Sequence, residues 1–172
     1  MKRLGTIVSA AVMMLGMGTA AYAATTVDLD NAPNGTHFVK GTTADCTVDG
    51  GVVTCGSYEL AGVGNIDATA SLDATYAATV NCRNHGGQVV ESHSQSTSVA
   101  SSTGALSPEN GRLTVPTLTS GMTPSAAQFE EQATCPNPNW TSEVDASSIA
   151  LTGYTYTLSF DGYTEPAVTI TG

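Results

Sequence analysis

Beyond residue 23 the chain alternates apolar and polar positions with a period of two. The clearest run sets Ala74, Tyr76, Ala78, Val80 and Cys82 against Thr75, Ala77, Thr79 and Asn81, as expected of a strand with one buried face. Tyr154, Tyr156, Leu158 and Phe160 alternate in the same way with Thr155, Thr157 and Ser159. Shorter strands are predicted over 37–40, 113–118, 149–152 and 166–171. Residues 89–99 begin as a strand and become very polar, which predicts an edge strand or one arm of a long hairpin. Turn signals separate these runs: Asn34-Gly35, Gly50-Gly51, Asn84-His85-Gly86-Gly87, Glu109-Asn110-Gly111 and Asp161-Gly162. The pattern predicts an all-β fold, an antiparallel β-sandwich of immunoglobulin-like kind, with a β-barrel as the runner-up.

Two stretches fit this scheme less easily. Residues 92–107 are rich in Ser, Thr and Gly, the composition of a mobile loop. Over 123–133, Ser125 and Gln128 could cap a two-turn helix. The alternation of Ala127, Phe129, Glu131 and Ala133 instead predicts a strand leading into Cys135. The strand is favoured here, because Cys135 must reach another strand.

Residues 1–23 have the parts of a secretory signal: basic Lys2 and Arg3, an apolar stretch from Leu4 to Ala20, and small residues before a cleavage point in Ala21-Tyr22-Ala23. Cleavage after Ala23 leaves 24–172 as a single disulfide-braced domain, secreted and free of the membrane. Cys46, Cys55, Cys82 and Cys135 suit that oxidising compartment. Residues 46–55 read as a hairpin turning at Gly50-Gly51, whose register sets Cys46 opposite Cys55 at a non-hydrogen-bonded pair, close enough for a bridge. That leaves Cys82–Cys135, a long loop whose closure is expected to stabilise by roughly 4 to 5 kcal/mol on the chain-entropy model.

The formal charge is −10, from 15 acids and 5 bases, and removal of Lys2 and Arg3 takes it to −12. Nucleic acid and anionic membranes need clustered Lys and Arg, so neither is an expected partner. Catalytic constellations are missing as motifs: no G-x-S-x-G elbow accompanies His37, His85 and His93. Asp28, Asp30 and Asn31 begin like a calcium loop, but Ala32 stands where an oxygen ligand is needed. Glu130 and Glu131, adjacent on a strand, would face opposite ways. The expectation is a protein that is not an enzyme, without metal or cofactor.

Recognition has more to offer. Cys135-Pro136-Asn137-Pro138-Asn139-Trp140 is a stiff, disulfide-tethered loop carrying the only Trp, so Asn137, Asn139 and Trp140 are candidate binding residues. A sandwich Trp is more often a core plug over the disulfide, and that is the favoured reading of Trp140. Tyr154 and Tyr156 belong to the core by alternation. Tyr163, beyond the Asp161-Gly162 turn, is the freer aromatic and the fourth binding candidate.

Four stretches, 58–65 (YELAGVGN), 80–87 (VNCRNHGG), 111–116 (GRLTVP) and 135–140 (CPNPNW), resemble segments of a set of small secreted actinobacterial β-rich proteins. The resemblance implies compartment and fold class and transfers no catalytic residue. The chain is also similar to secreted subtilisin-inhibitor proteins in its two disulfides and short, acidic, β-rich character, though no reactive-site segment is found. The leading expectation is a non-enzymatic secreted interaction module. It would act as an adaptor or structural subunit of an extracellular assembly, with an extracellular protein partner or, second, a carbohydrate. A proteinase inhibitor using loop 135–140 is the alternative, and an extracellular hydrolase ranks lowest.

Overall fold

A computed structural model describes residues 23–172; the signal expected over 1–22 lies outside the described residues. The chain there is all-β, built of antiparallel sheets. The largest sheet has the order β1 (Ala24–Val27), β11 (Val168–Thr171), β10 (Thr141–Phe160), β6 (Ala68–Arg83), β7 (Val89–Leu106). A second joins β2 (His37–Phe38), β5 (Tyr58–Ala61) and β8 (Arg112–Val115), and a third joins β3 (Cys46–Asp49), β4 (Val52–Cys55) and β9 (Leu118–Thr119). A short helix, α1 (Ala126–Glu130), precedes β10. The large sheet keeps two open edges, β1 and β7, so the runner-up barrel is not formed.

The period-two pattern translates directly into burial. On β6, Ala68, Ala70, Leu72, Ala74, Tyr76, Ala78, Val80 and Cys82 are all buried, and Tyr154, Tyr156, Leu158 and Phe160 are buried beside them on β10. Polar tips tie this face to the smaller sheets. The Tyr58 and Tyr156 hydroxyls lie 3.0 Å apart, and Tyr76 donates to the Gly51 carbonyl at 2.9 Å. A buried phenol needs such a partner, or its desolvation goes uncompensated.

The predicted hairpin is present with its register intact: Cys46 opposes Cys55 and Asp49 opposes Val52. Gly50 and Gly51 both have positive φ, +56° and +81°, as a type I′ turn requires. Both disulfides pair as expected, Cys46–Cys55 with Cα atoms 4.0 Å apart and Cys82–Cys135 at 5.8 Å.

Three expectations change. Residues 92–107 are not a loop: all but Ser107 belong to β7, paired along β6. Its main chain is held by the ladder, so its serines record an exposed surface, not mobility. Residues 113–118 divide into β8 and β9 around Pro116, which has no N–H for a ladder. Over 123–133 the helix wins. The Gln128 side chain accepts the Ser125 N–H at 2.8 Å, Phe129 is fully buried, and the coil after α1 carries Cys135 to Cys82. The alternation that favoured a strand was too short to outweigh a cap and one buried aromatic.

Where the long ladders break, hydroxyls close the gap. Between Asp145 and Ala150 the β10–β6 register shifts, and there Ser148 Oγ donates to the Asp145 carbonyl at 2.6 Å and accepts the Thr79 N–H at 2.7 Å. At the next shift Thr152 donates to the Thr75 carbonyl at 3.0 Å. In the β6–β7 ladder, Thr103 Oγ1 serves both the N–H and the carbonyl of Ala70, at 3.1 and 3.4 Å. Part of the Ser and Thr content therefore completes backbone hydrogen bonding that bulges would leave open.

Candidate functional site

The four candidate binding residues fall at two places. Trp140 immediately precedes β10 and Tyr163 follows its end after Asp161-Gly162. Twenty residues of strand, up to about 65 Å of chain, lie between them, so they do not form one site.

At the first place, Asn137 builds the loop. Its carbonyl accepts the Trp140 N–H at 3.0 Å and its side-chain oxygen accepts the Asn139 N–H at 2.9 Å. That Asx turn uses the Asn137 side chain internally and leaves Asn139 exposed. Trp140 is half-buried and stands outside the buried core. Trp140 is therefore not the expected core plug; the fully buried aromatic that precedes the bridge in the chain is Phe129. The neighbouring Asn84–Gln88 turn carries His85, and Asn84 Oδ1 accepts the N–H of Gly86 and of Gln88. His85-Gly86-Gly87 is therefore a turn.

At the second place the geometry is more open to a ligand. The Tyr163 N–H bonds the Phe160 carbonyl at 3.2 Å, with φ +85° at Gly162, the positive value that the third position of a type II turn needs. The Tyr163 ring meets buried Phe160 edge-on, centroids 6.4 Å apart, and is 37% exposed. It lines a cleft of about 460 Å³ with Asp30, Asn34 and Thr36. Gly35, which also lines the cleft, packs against Gly62, whose φ is +78° and whose missing Cβ leaves room for the Gly35 carbonyl; any side chain there would collide with it.

Hydrogen bonding around the cleft separates structural groups from free ones. The Asp28 carboxylate is spent on the Asp30 N–H and the Asn31 amide, both at 3.1 Å, so the stretch that resembled a calcium loop is a capped turn. No grouping of three His, Cys, Asp or Glu able to hold a metal occurs among the described residues. Thr36 donates to the Pro33 carbonyl at 2.6 Å. The side chains of Asp30 and Asn34 have no protein partner among the described residues. A larger hollow of about 590 Å³ contains Arg112 and Glu59, but these pair with each other at 2.8 Å.

The histidines do not assemble. His37 lies on β2 with Nδ1 2.8 Å from the Gly35 carbonyl, His85 sits in the β6–β7 turn, and His93 is on β7 beside Glu91 at 3.8 Å. Glu130, on α1, accepts the Val144 N–H at 3.2 Å. The shifted titrations are structural: burial raises Tyr58 and Tyr156, which share a hydrogen bond, and burial also raises Tyr154. Asp145 is lowered by the Ser147 hydroxyl and N–H.

No protein-family model, curated protein or solved structure matches the chain. Sequence reasoning found Tyr163 through the turn that ends its strand, but weighed Asp30 only as part of a calcium-like loop and Asn34 only as a turn residue, and did not join either to Tyr163. Their approach depends on Gly62 meeting Gly35, a contact between distant segments.

Proposed function

We propose that the chain is exported, is cleaved after Ala23, and works outside the cell as a non-enzymatic binding module that takes a saccharide at the Tyr163 cleft. Its sheets pack as a β-sandwich, immunoglobulin-like in setting two antiparallel layers face to face. Support for that packing comes from the Tyr58–Tyr156 and Tyr76–Gly51 hydrogen bonds, which cross between sheets. Export is supported by the basic and apolar N-terminal pattern and by two disulfides.

One observation carries the ligand class: a fixed, exposed Tyr163 ring stands beside a carboxylate and an amide with no protein partner among the described residues, in a cleft of about 460 Å³ that has room for a sugar ring. An aromatic face offers apolar contact to the C–H side of a pyranose, while Asp30 and Asn34 can accept and donate to its hydroxyls. Loop 135–140 supports the inhibitor reading less well, because substrate-like inhibition needs an extended segment and this loop closes on itself through Asn137. An extracellular protein partner would use the same Tyr163 surface as an anchor.

Titration of the secreted protein with a panel of oligosaccharides, followed by amide chemical shifts, tests this directly. Shifts should gather at Asp30, Asn34 and Tyr163, and Tyr163→Ala should weaken binding about tenfold, a loss of about 1.4 kcal/mol. Shifts gathered at Asn139 and Trp140, or none with any sugar, would move the function elsewhere.

A further inference from the structure

We propose that the free edge of β7 is a dimer interface, pairing antiparallel with β7 of a second copy across a two-fold axis to make one continuous ten-stranded sheet. The inference starts from which backbone groups of β7 point outward. Along an antiparallel strand the N–H and C=O of one residue face the same neighbour, and successive residues alternate. On β6, the Thr79 N–H and the Thr75 carbonyl are bonded by Ser148 and Thr152 of β10. The N–H and carbonyl of Ala70 are bonded by Thr103 of β7. Odd residues of β6 therefore face β10, and even residues face β7.

The register then assigns β7. Ala74, Tyr76, Ala78 and Val80 oppose Val99, Thr97, Gln95 and His93, so those four β7 residues spend their backbone groups on β6. Ser94, Ser96, Ser98 and Ala100 oppose Thr79, Ala77, Thr75 and Asp73 and direct theirs away from the sheet. The 3.1 Å approach of Thr75 Oγ1 to Ser98 Oγ agrees, since side chains come closest at non-hydrogen-bonded pairs. Among the described residues, the single donor to this outward row is the Gln95 amide, 3.3 Å from the Ser96 carbonyl.

Open edges are normally guarded by brevity, by Lys or Pro, or by a bulge. From Ser92 to Ser102 the register with β6 runs without a shift, and 89–106 contains no Lys, Arg or Pro. The opposite edge, β1, is four residues long and is guarded by brevity. That asymmetry selects the occupant. Pairing β7 with β1 of another copy would extend without end but gains only four residues, whereas β7 with β7 gains the long edge and closes at two copies.

Charge and side-chain size fit the same occupant. The chain is acidic, yet Glu91 is the only acid in β7. With the axis near Thr97, the two copies of Glu91 lie about 40 Å apart along the paired strands, several times the screening length of about 8 Å at physiological salt. With the axis at Thr97 the hydrogen-bonded pairs across it, Ser96 with Ser98, Ser94 with Ala100 and Ser92 with Ser102, contain only Ser and Ala, so that face of the joined strands is uncrowded.

Sedimentation equilibrium of the secreted protein should give twice the chain mass at 100 µM, with dissociation on dilution. Below the dissociation range, hydrogen exchange should alternate along β7, fast at Ser94, Ser96 and Ser98 and slow at Gln95 and Thr97; on dimerisation the fast set should slow at least tenfold. Ser96→Lys with Ser98→Lys opposes like charges across the axis and should give a monomer with an unchanged circular dichroism spectrum. Ser96→Glu with Ser98→Glu should do the same, and mixing the two variants should restore the dimer. A wild-type monomer at 100 µM, a dimer that survives the lysine pair, or a monomer recovered with a foreign protein on β7 would each overturn the proposal.

Discussion

The two halves of the long sheet solve the same problem with different materials. Around Tyr76 and Tyr156 the buried face of β6 and β10 is covered by the two smaller sheets, and phenol hydroxyls fasten the layers. Around Val80 and Val144 the cover is one turn of helix, Phe129, and the Cys82–Cys135 bridge. The first half draws on many apolar contacts spread over several strands. The second depends on a few, so it should open independently and at lower cost. A disulfide here does the work that a covering sheet does elsewhere.

Removing the bridge should separate the halves most sharply. Cys82→Ala with Cys135→Ala releases a loop closure spanning 53 residues, about 4 kcal/mol on the chain-entropy model. Hydrogen exchange should accelerate in 77–83, 89–97 and 141–150 and stay slow in 68–76 and 154–160. Equal acceleration in both halves would erase the distinction. Phe129→Ala attacks the same region through packing and should cost about 3 kcal/mol, with the exchange losses again confined to the helix-covered half.

The sheet-covered half has its own weak point. Tyr58→Phe removes one hydroxyl of a buried pair and leaves Tyr156 without its partner, a cost of about 1 to 2 kcal/mol, read by denaturant unfolding. Burial raises both phenols above the ordinary range, so the fold binds their neutral forms. Their contribution is complete below pH about 10, where the unfolded chain also keeps the protons. It is lost as pH rises further, because the unfolded state ionises first. An ultraviolet titration should find these tyrosines ionising together with unfolding.

What the sequence disclosed follows the range of the interactions. Strand faces, the Gly50-Gly51 hairpin and Cys46–Cys55 were legible because they depend on period, turn chemistry and parity within short stretches, and Cys82–Cys135 followed because two cysteines remained. Residues 92–107 were misjudged because serine composition reports solvent exposure, and an edge strand is exposed on one face and along one side. The helix at Ala126–Glu130 was legible in its cap, yet five residues alternate too briefly to decide against a strand. Trp140 was read as core from the habits of sandwiches, but it is half-buried and outside the core, whereas Phe129 is fully buried. At the cleft, Tyr163 was visible from its turn, whereas Asp30 and Asn34 arrive through the Gly62–Gly35 approach, which no local pattern encodes.

The smallest expected effect lies at the bulge in the helix-covered half. Asp145 is fully exposed, and its carboxylate accepts the Ser147 hydroxyl at 2.6 Å and the Ser147 N–H at 3.0 Å. Hydrogen bonds to the charged form lower its pKa. The contribution is therefore present above the unfolded value and fades as pH falls through the folded one. Ser147→Ala removes the largest of these bonds, so the Asp145 carboxyl should titrate at higher pH when followed by carbon chemical shifts, with the denaturation midpoint almost unmoved. Ser148→Ala at the next position is the sharper companion. Its hydroxyl bridges the Asp145 carbonyl to the Thr79 N–H, so its loss should speed exchange at Thr79 while leaving Tyr76 protected. If the two serines behaved alike, the bulge would be held by surface charge and not by completed backbone bonding.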